Sequence, residues 1–562
     1  MTTPTRVDVA IVGSGFGGSI TAWRLAELYR AAGVDPGAIV VLERGKRYGH
    51  PDFRQSMDVD HLSDVYLLIQ GQGAQVLTAN AVGGGSNLYL AASVRSPTET
   101  FERHDRRPDD GPTRRMWPRA ISRRALDPYY ARAERGLRVT RPEWSEVSKS
   151  GGLWAATLAA AGHTCDRVPL AISPDRCVNA KWCHTGCIFG AKNSLITNYL
   201  WAAENAGVRV LPNVQVEVIR QSSARPYRYV LQGDVMDNEG PSPSRAPSGQ
   251  QLAIECKVLV LAAGAMGTPP LLMRSRPFLP ALSDQIGRNL GVNGDHVAAA
   301  EFDPAAVRSV LGLPGYDEFY KGKPITTMSY DWWVGRGSRR YDGTRFNLQE
   351  IFLSTLTNFL YDSGRTEPGA PSWWGLAKKQ AVALWANRIE LLAMVEDTRD
   401  GTFFAPPPAG AAVRPDPGPL AVGTFTYSQS EQSTAIRAAA NAAIRDVVTR
   451  RGLARFMALT ETEGVYCAHP LGGARMADSP DLGAVNDTGA VYGYEGLYCI
   501  DGSIAPTSLG VNPSLTISAL SERCAERLVA AAGDLGLPAR PGALREQTPP
   551  EHVGPRVLNR AR

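Results

Sequence analysis

The feature that most narrows the fold stands at the start of the chain. Residues 7–12 are a short apolar run that ends in Gly13-Ser-Gly15-Phe-Gly-Gly18, and helical spacing follows from Ile20 to Tyr29. The pattern reads as strand, tight turn, helix. A second apolar run, 38–42, ends at Glu43 and completes a β-α-β unit with an acid at its far tip. Parallel strands joined by a helix call for an α/β sheet covered on both faces. Within the turn, Gly13 permits the bend, Gly15 lets a pyrophosphate reach the backbone, and Gly18 allows helix and strand to pack closely. The helix N-terminus then faces the phosphates. Glu43 accepts hydrogen bonds from ribose hydroxyls and repels a 2′-phosphate, which favours FAD or NAD over NADP. In a chain with 56 glycines the glycine spacing alone is weak, but strand, helix and acid together outweigh a plain Gly-rich turn.

Composition narrows the class further. The chain has 562 residues, 43% hydrophobic and 20% charged, so it carries enough apolar material for large cores. Sixty Lys+Arg against 55 Asp+Glu leave a small excess with no long basic block, which gives a nucleic-acid partner little support. Eight cysteines are too sparse for a disulfide scaffold. No stretch reads as a run of ~20 apolar residues, and no signal-peptide pattern follows Met1, so a cytoplasmic location is expected.

Residues 256–263 read as another buried strand of the nucleotide sheet, and 433–451 as an amphipathic helix with Ile436, Ala439, Ala440, Ala443, Ile444, Val447 and Val448 on one stripe. Residues 234–250 and 398–419 read as polar or Pro-rich loops, and 537–562 as a loosely held end. Trp332, Trp333, Trp373, Trp374 and Trp385 surround the apolar segment 351–361. They line an apolar cavity or form the core of a second domain; Trp373 and Trp374 beside Lys378 and Lys379 also allow transient membrane-surface contact.

Near the C-terminus stand His469-Pro-Leu-Gly-Gly473, Asn486-Asp-Thr-Gly-Ala-Val491, Leu497-Tyr-Cys-Ile-Asp501-Gly502-Ser503 and Gly510-Val-Asn512-Pro-Ser-Leu-Thr516. With the N-terminal unit and Val82-Gly83-Gly84-Gly85-Ser86, these blocks resemble the glucose-methanol-choline (GMC) oxidoreductases over about residues 7–530. Asn512 and the segment Phe346-Asn-Leu-Gln-Glu350-Ile351 resemble the cholesterol oxidase branch of that family. The resemblance implies noncovalent FAD in a discontinuous Rossmann-like domain of residues 1–300 and 460–540, interspersed with substrate-domain segments at about 95–200. A substrate domain at 301–459, with an antiparallel sheet and covering helices, and a flexible tail at 541–562 complete it. It also implies that backbone around Gly84, Gly85, Ser86 and Asn87 contacts the cofactor, that Val216 meets the adenine, and that Asp501 and Gly502 sit by the ribityl and pyrophosphate region.

Oxidising an alcohol with a flavin requires a base for the hydroxyl proton and an anchor for the oxygen. His469 serves as base or as hydrogen-bonding partner, because imidazole works in either state near neutrality. Asn512 cannot titrate, so its task is orientation. Glu350 either lines the pocket, where burial would raise its pKa and allow it to shift a C–H proton and isomerise a double bond, or is a surface or strand-edge acid. Cys177, Cys183, His184 and Cys187 have the residue types for zinc or an iron–sulfur cluster; the sparse pattern, with Ala180 among them, favours reduced structural cysteines and no metal. The expected function is FAD-dependent oxidation of a bulky apolar secondary alcohol, sterol-like, with oxygen or another electron acceptor. A glycoside dehydrogenase with a non-oxygen acceptor and a flavin-containing hydroxynitrile lyase are the alternatives.

Overall fold

The computed structural model describes residues 4–56, 59–105, 114–239, 246–313, 322–333, 345–352, 387–404, 425–458, 465–539 and 547–550. Strand β1 (Thr5–Val12), helix α1 (Phe16–Ala31) and strand β2 (Ile39–Leu42) form the β-α-β unit that the glycine pattern predicts. β1 lies between β2 and the strand Pro247–Leu261, parallel to both, and Arg209–Leu211 extends the sheet beyond β2. β2 is buried throughout, as a strand covered on both faces must be. Helix α1 packs on the helices Tyr199–Asn205 and Ser514–Ala530. Arg24 fastens that contact with two bonds to Glu522, at 2.7 and 2.8 Å, and a third to the carbonyl of Gln547 in the C-terminal tail.

Strand Pro247–Leu261 shares its second edge between two partners. Its outer part pairs antiparallel with Tyr229–Met236, and its inner end pairs parallel with Leu497–Cys499. Residues 234–236 and 247–250 of the stretch 234–250 are therefore paired strand, not loop, with Asp234 opposite Gln251 and Met236 opposite Pro247, and 240–245 lie outside the described residues. The polar sequence misleads because the hairpin runs past the covered part of the sheet, and residues 247–251 are exposed. Likewise Gly401–Phe403, inside the expected loop 398–419, pairs with Arg288–Leu290 and Phe425–Thr426. Residues 405–424 lie outside the described residues.

A six-stranded antiparallel sheet forms the second unit, in the order Ala454–Ala458, Asp295–Phe302, Arg388–Val395, Phe346–Ile351, Thr327–Ser329, Asp166–Arg167. Helices Lys149–Ala160 and Glu431–Thr449 cover one face, the latter burying Ile436, Ala440, Ala443, Ile444, Val447 and Val448. The two-residue alternation of strands decides what each face carries. Ala298, Ala300, Phe346, Leu348, Leu391 and Ala393 pack under the helices, while Met328, Ile351, Leu392 and Met394 join the core of the nucleotide-binding unit. A small sheet of Tyr66–Gln70, Ala74–Ala79 and Val465–Cys467 sits beside both. Residues 353–361, Trp373, Trp374 and Trp385 lie outside the described residues. Among the described residues no helix is long and apolar enough to cross a membrane.

Candidate functional site

The carboxyl ends of four parallel strands converge on one region. β1 leads into Gly13, β2 into Glu43, Leu261 towards Gly264, and Cys499 towards Asp501. Ligands of open α/β sheets bind at such ends. Gly13 has φ +99°, and a Cβ there would lie 2.3 Å from the Ala262 carbonyl oxygen. A Cβ on Gly18 would meet the Gly13 carbonyl oxygen at 1.9 Å, so strand and helix touch there. Gly15 has open space within 4 Å of its Cβ position. Gly17 is as constrained as its neighbours: its Cβ would stand 1.5 Å from the carbonyl oxygen of Ile500. No local spacing signals that constraint, because Ile500 arrives from the far end of the chain.

A second glycine turn faces the first. Gly84, at φ +54°, places its Cβ position 2.9 Å from the Cα of Gly15, and Gly85 faces open space. Ser86 is consumed in holding this turn, donating to the Gly83 carbonyl at 2.7 Å and accepting from the Leu195 amide at 3.0 Å. Asn87 donates to the Val82 carbonyl at 2.7 Å. Lys192, fully buried, donates to the carbonyls of Asn87, Tyr89 and Cys183, so it ties this turn to the cysteine segment; burial lowers its pKa to about 8.

Glu43 accepts the Ser14 amide at 3.0 Å and hydroxyl at 2.6 Å, and the Gly45 amide at 3.0 Å. Asp501 accepts Gly264 N at 2.8 Å, Thr268 Oγ1 at 2.5 Å and Ser503 N at 2.7 Å, which joins two strand ends. Burial pushes its carboxyl above the usual range while those donors pull it down. Val216 is buried in the core of the nucleotide-binding unit, on a strand whose Val214 amide bonds the Glu43 carbonyl at 2.8 Å. Helix α1 begins without a side-chain cap or an acid in its first turn. An uncapped N-terminus and an open glycine suit a pyrophosphate-bearing dinucleotide.

Where the two units meet, one short segment pins both C-terminal motifs. Gly291 bonds Leu471 in both directions, Asn293 bonds Leu509 N and Val511 O at 2.7 and 2.8 Å, and Asp295 bonds Ala468 N at 2.9 Å. His469 thereby comes onto the same seam as Asn512. The Asp295 carboxylate accepts His469 Nδ1 at 2.7 Å. The amide oxygen of Asn512 is buried and accepts no bond among the described residues. Gly510, at φ +67°, lies against the Trp333 ring, so Trp333 supports the turn while Trp332 stacks on Phe346 in the second core.

The structure does not bring Glu350 to this seam. Alternation places it with Phe346 and Leu348 under the helices, where Ser148 Oγ and Ser150 Oγ donate to one oxygen at 3.0 and 2.6 Å. The Thr326 amide and hydroxyl donate to the other at 3.1 and 3.2 Å, and burial pushes the carboxyl up. Asn347 and Gln349 occupy the opposite parity. Asn347 donates to the Gly510 carbonyl, Gln349 donates to Asn347 Oδ1 at 2.9 Å, and Gln349 Oε1 is buried without a partner among the described residues. The signal was in the sequence: the parity of Phe346 and Leu348 assigns Glu350 to the apolar side.

Cys177, Cys183 and Cys187 are free thiols lining one depression with Trp182 and Lys323. Burial pushes the Cys183 thiol up to about 12. Among the described residues no group of His, Cys, Asp and Glu side chains is arranged to hold a metal ion.

A dinucleotide cradle at the strand ends and a histidine and an asparagine on the seam with a second, antiparallel domain define a two-domain dinucleotide-dependent oxidoreductase. The chain belongs to the GMC oxidoreductase family, whose N-terminal and C-terminal models match residues 11–294 and 414–521. It is an FAD-dependent alcohol oxidoreductase. It is 27% identical to a cholesterol oxidase of Mycobacterium tuberculosis, covering 92% of this chain and 90% of that one. Long-chain-alcohol oxidase FAO4B of Arabidopsis thaliana is 24% identical, with 93% of this chain and 67% of the relative covered. Among solved structures, an FAD-dependent oxidoreductase from Chaetomium thermophilum matches with TM-score 0.60 at 14% identity, covering 93% and 99% of the two chains. A formate oxidase matches with TM-score 0.59 at 13% identity, covering 95% and 100%. These likenesses of structure establish the fold.

Proposed function

We propose that the chain oxidises the hydroxyl of a bulky apolar secondary alcohol, of the 3-hydroxysteroid kind, to a ketone. The observation that carries the reading is the likeness over 92% of this chain to a cholesterol oxidase, together with a sheet face opposite the helices that brings Asp295 to His469. Overall similarity to a cholesterol oxidase, and at lower identity to a long-chain-alcohol oxidase, supports the apolar class over a glycoside.

Gly13, Gly15, Gly84 and Gly85 would hold the pyrophosphate region through backbone, Glu43 the ribose, and Asp501 with Gly502 the strand-end turn beside it. FAD, when bound, supplies the acceptor for the hydride that leaves the carbinol carbon. Asn512 would donate from its amide NH₂ to the substrate oxygen and fix where the hydroxyl sits. His469 then takes the hydroxyl proton at Nε2, because Nδ1 is already bonded to Asp295. Glu350 has no part in this step, and a double-bond shift through it is not proposed, since its carboxyl lies on the other side of the sheet.

The test is an anaerobic absorbance titration of the holoprotein with a 3-hydroxysteroid, a long-chain primary alcohol and a glycoside, followed by air. Bleaching of the flavin by the steroid first, with recovery in air, is expected. Bleaching by the glycoside alone would reverse the substrate class, and cyanohydrin cleavage with no bleaching would replace oxidation by lyase chemistry.

A further inference from the structure

We propose that Asp295 is a positioning residue that fixes the tautomer of His469, so that Nε2 works as a proton acceptor and not as a hydrogen-bond donor; this rests on the alcohol oxidation proposed above. Asp295 begins the strand Asp295–Phe302, on the parity that faces the nucleotide-binding unit. One of its carboxylate oxygens meets His469 Nδ1 at 2.7 Å and the other accepts the Ala468 amide at 2.9 Å. Its carbonyl is held by Arg437 from the covering helix at 2.6 Å, so strand, helix and histidine loop all bear on one residue. The His469 amide, bonded to Cys467 Sγ at 3.3 Å, fixes the backbone beneath the ring.

An ionised carboxylate only accepts, so the proton between the two groups belongs to Nδ1. A neutral imidazole then has its lone pair on Nε2, which has no partner among the described residues. The proton balance follows. The O–H bond of the alcohol breaks, an N–H bond forms at Nε2, and the imidazolium so made stands 2.7 Å from the Asp295 carboxylate. FAD, when bound, would accept the carbinol hydride, which balances the two-electron oxidation of the carbon with a two-electron reduction of the cofactor. The ordering resembles a buried acid behind a catalytic imidazole, where the acid orients and never takes the proton.

The experiment compares FAD-loaded wild type with Asp295→Asn and Asp295→Glu. In protein labelled with ¹⁵N at histidine, and with the His469 signals identified by their loss in His469→Gln, wild type and Asp295→Glu are expected to show protonated Nδ1. The Asn variant, whose amide donates, should show protonated Nε2. Anaerobic stopped-flow reduction by the alcohol should fall on the order of 10²–10⁴-fold in Asp295→Asn with half-saturation unchanged, and recover in part in Asp295→Glu. Wild-type His469 protonated at Nε2, or Asp295→Asn reducing flavin at the wild-type rate, overturns the proposal. If no alcohol reduces the wild-type flavin, the proposed function falls while the ¹⁵N pattern still judges Asp295.

Discussion

The Ser14 hydroxyl donates to Glu43 at 2.6 Å while accepting the Gly83 amide at 2.8 Å. One side chain thus joins the acid at the tip of β2 to both glycine turns. A carboxylate has about four acceptor positions, and the Ser14 amide, the Ser14 hydroxyl and the Gly45 amide take up all but one, leaving one for a ribose hydroxyl. Ser14→Ala removes two bonds to this frame, and at about 1 kcal/mol each that is roughly a tenfold or greater loss of FAD affinity. Fluorescence titration of the apoprotein with FAD measures it; an unchanged dissociation constant would show that the frame is set without Ser14.

Gly15 and Gly17 separate binding from folding. A methyl on Gly15 meets nothing within 4 Å, whereas one on Gly17 falls 1.5 Å from the Ile500 carbonyl oxygen. Gly15→Ala should fold with a melting temperature close to wild type in the apoprotein and bind FAD more weakly, because the methyl stands where the backbone is open. Gly17→Ala should fail to accumulate as folded protein or melt far earlier, since backbone on backbone cannot yield. Thermal melts of the two apoproteins decide it, and equal melting temperatures would refute the distinction.

Local patterns were legible where the chain makes its own structure. The order of Gly13, Gly15 and Gly18 after an apolar strand announced the turn, and the stripe from Ile436 to Val448 announced a helix face. Contacts between distant segments left no such trace. Asp295 lies 174 positions before His469, and no spacing rule connects them. Gly17 is constrained by the Ile500 carbonyl, which lies 483 positions away, and no local spacing announces it. Glu350 stayed open between pocket and strand edge for another reason: motif similarity does not say which face a side chain takes, and strand parity does. The polar hairpin at 234–250 hid its strands because exposed strand ends need no apolar residues.

Asn347 and Glu350 make a paired test of that parity. Glu350→Gln places an amide NH₂ against the donors Ser148, Ser150 and Thr326, which costs about 1–3 kcal/mol of stability. Flavin reduction by substrate in the folded variant should stay near wild type. Asn347→Ala releases the Gly510 carbonyl and should slow reduction with a smaller loss of stability. Rapid-reaction reduction and urea midpoints of both variants check this. A Glu350→Gln variant that folds normally but no longer reduces its flavin would return that carboxyl to the chemistry.

His184 gives the fold a defined acid limit. Its ring is buried, stacks on Trp182 with 5.7 Å between ring centres, and has neither nitrogen bonded among the described residues. Burial, with the nearby Lys192 charge, lowers its pKa from 6.5 to about 4. The lowered value means that both folded and unfolded chains hold a neutral ring above 6.5, so stability is complete there. As pH falls towards 4 the unfolded chain gains a proton that the folded one refuses, and about 3 kcal/mol is lost. His296, bonded to Asn441 and lowered to about 4 by burial and Arg437, adds a similar loss over the same range. His184→Phe should therefore shrink the drop in urea stability between about pH 7 and about pH 4.5 by about 2–3 kcal/mol, measured on the holoprotein by tryptophan fluorescence. A drop as large as that of wild type would mean that the ring gains solvent or a partner before the chain unfolds.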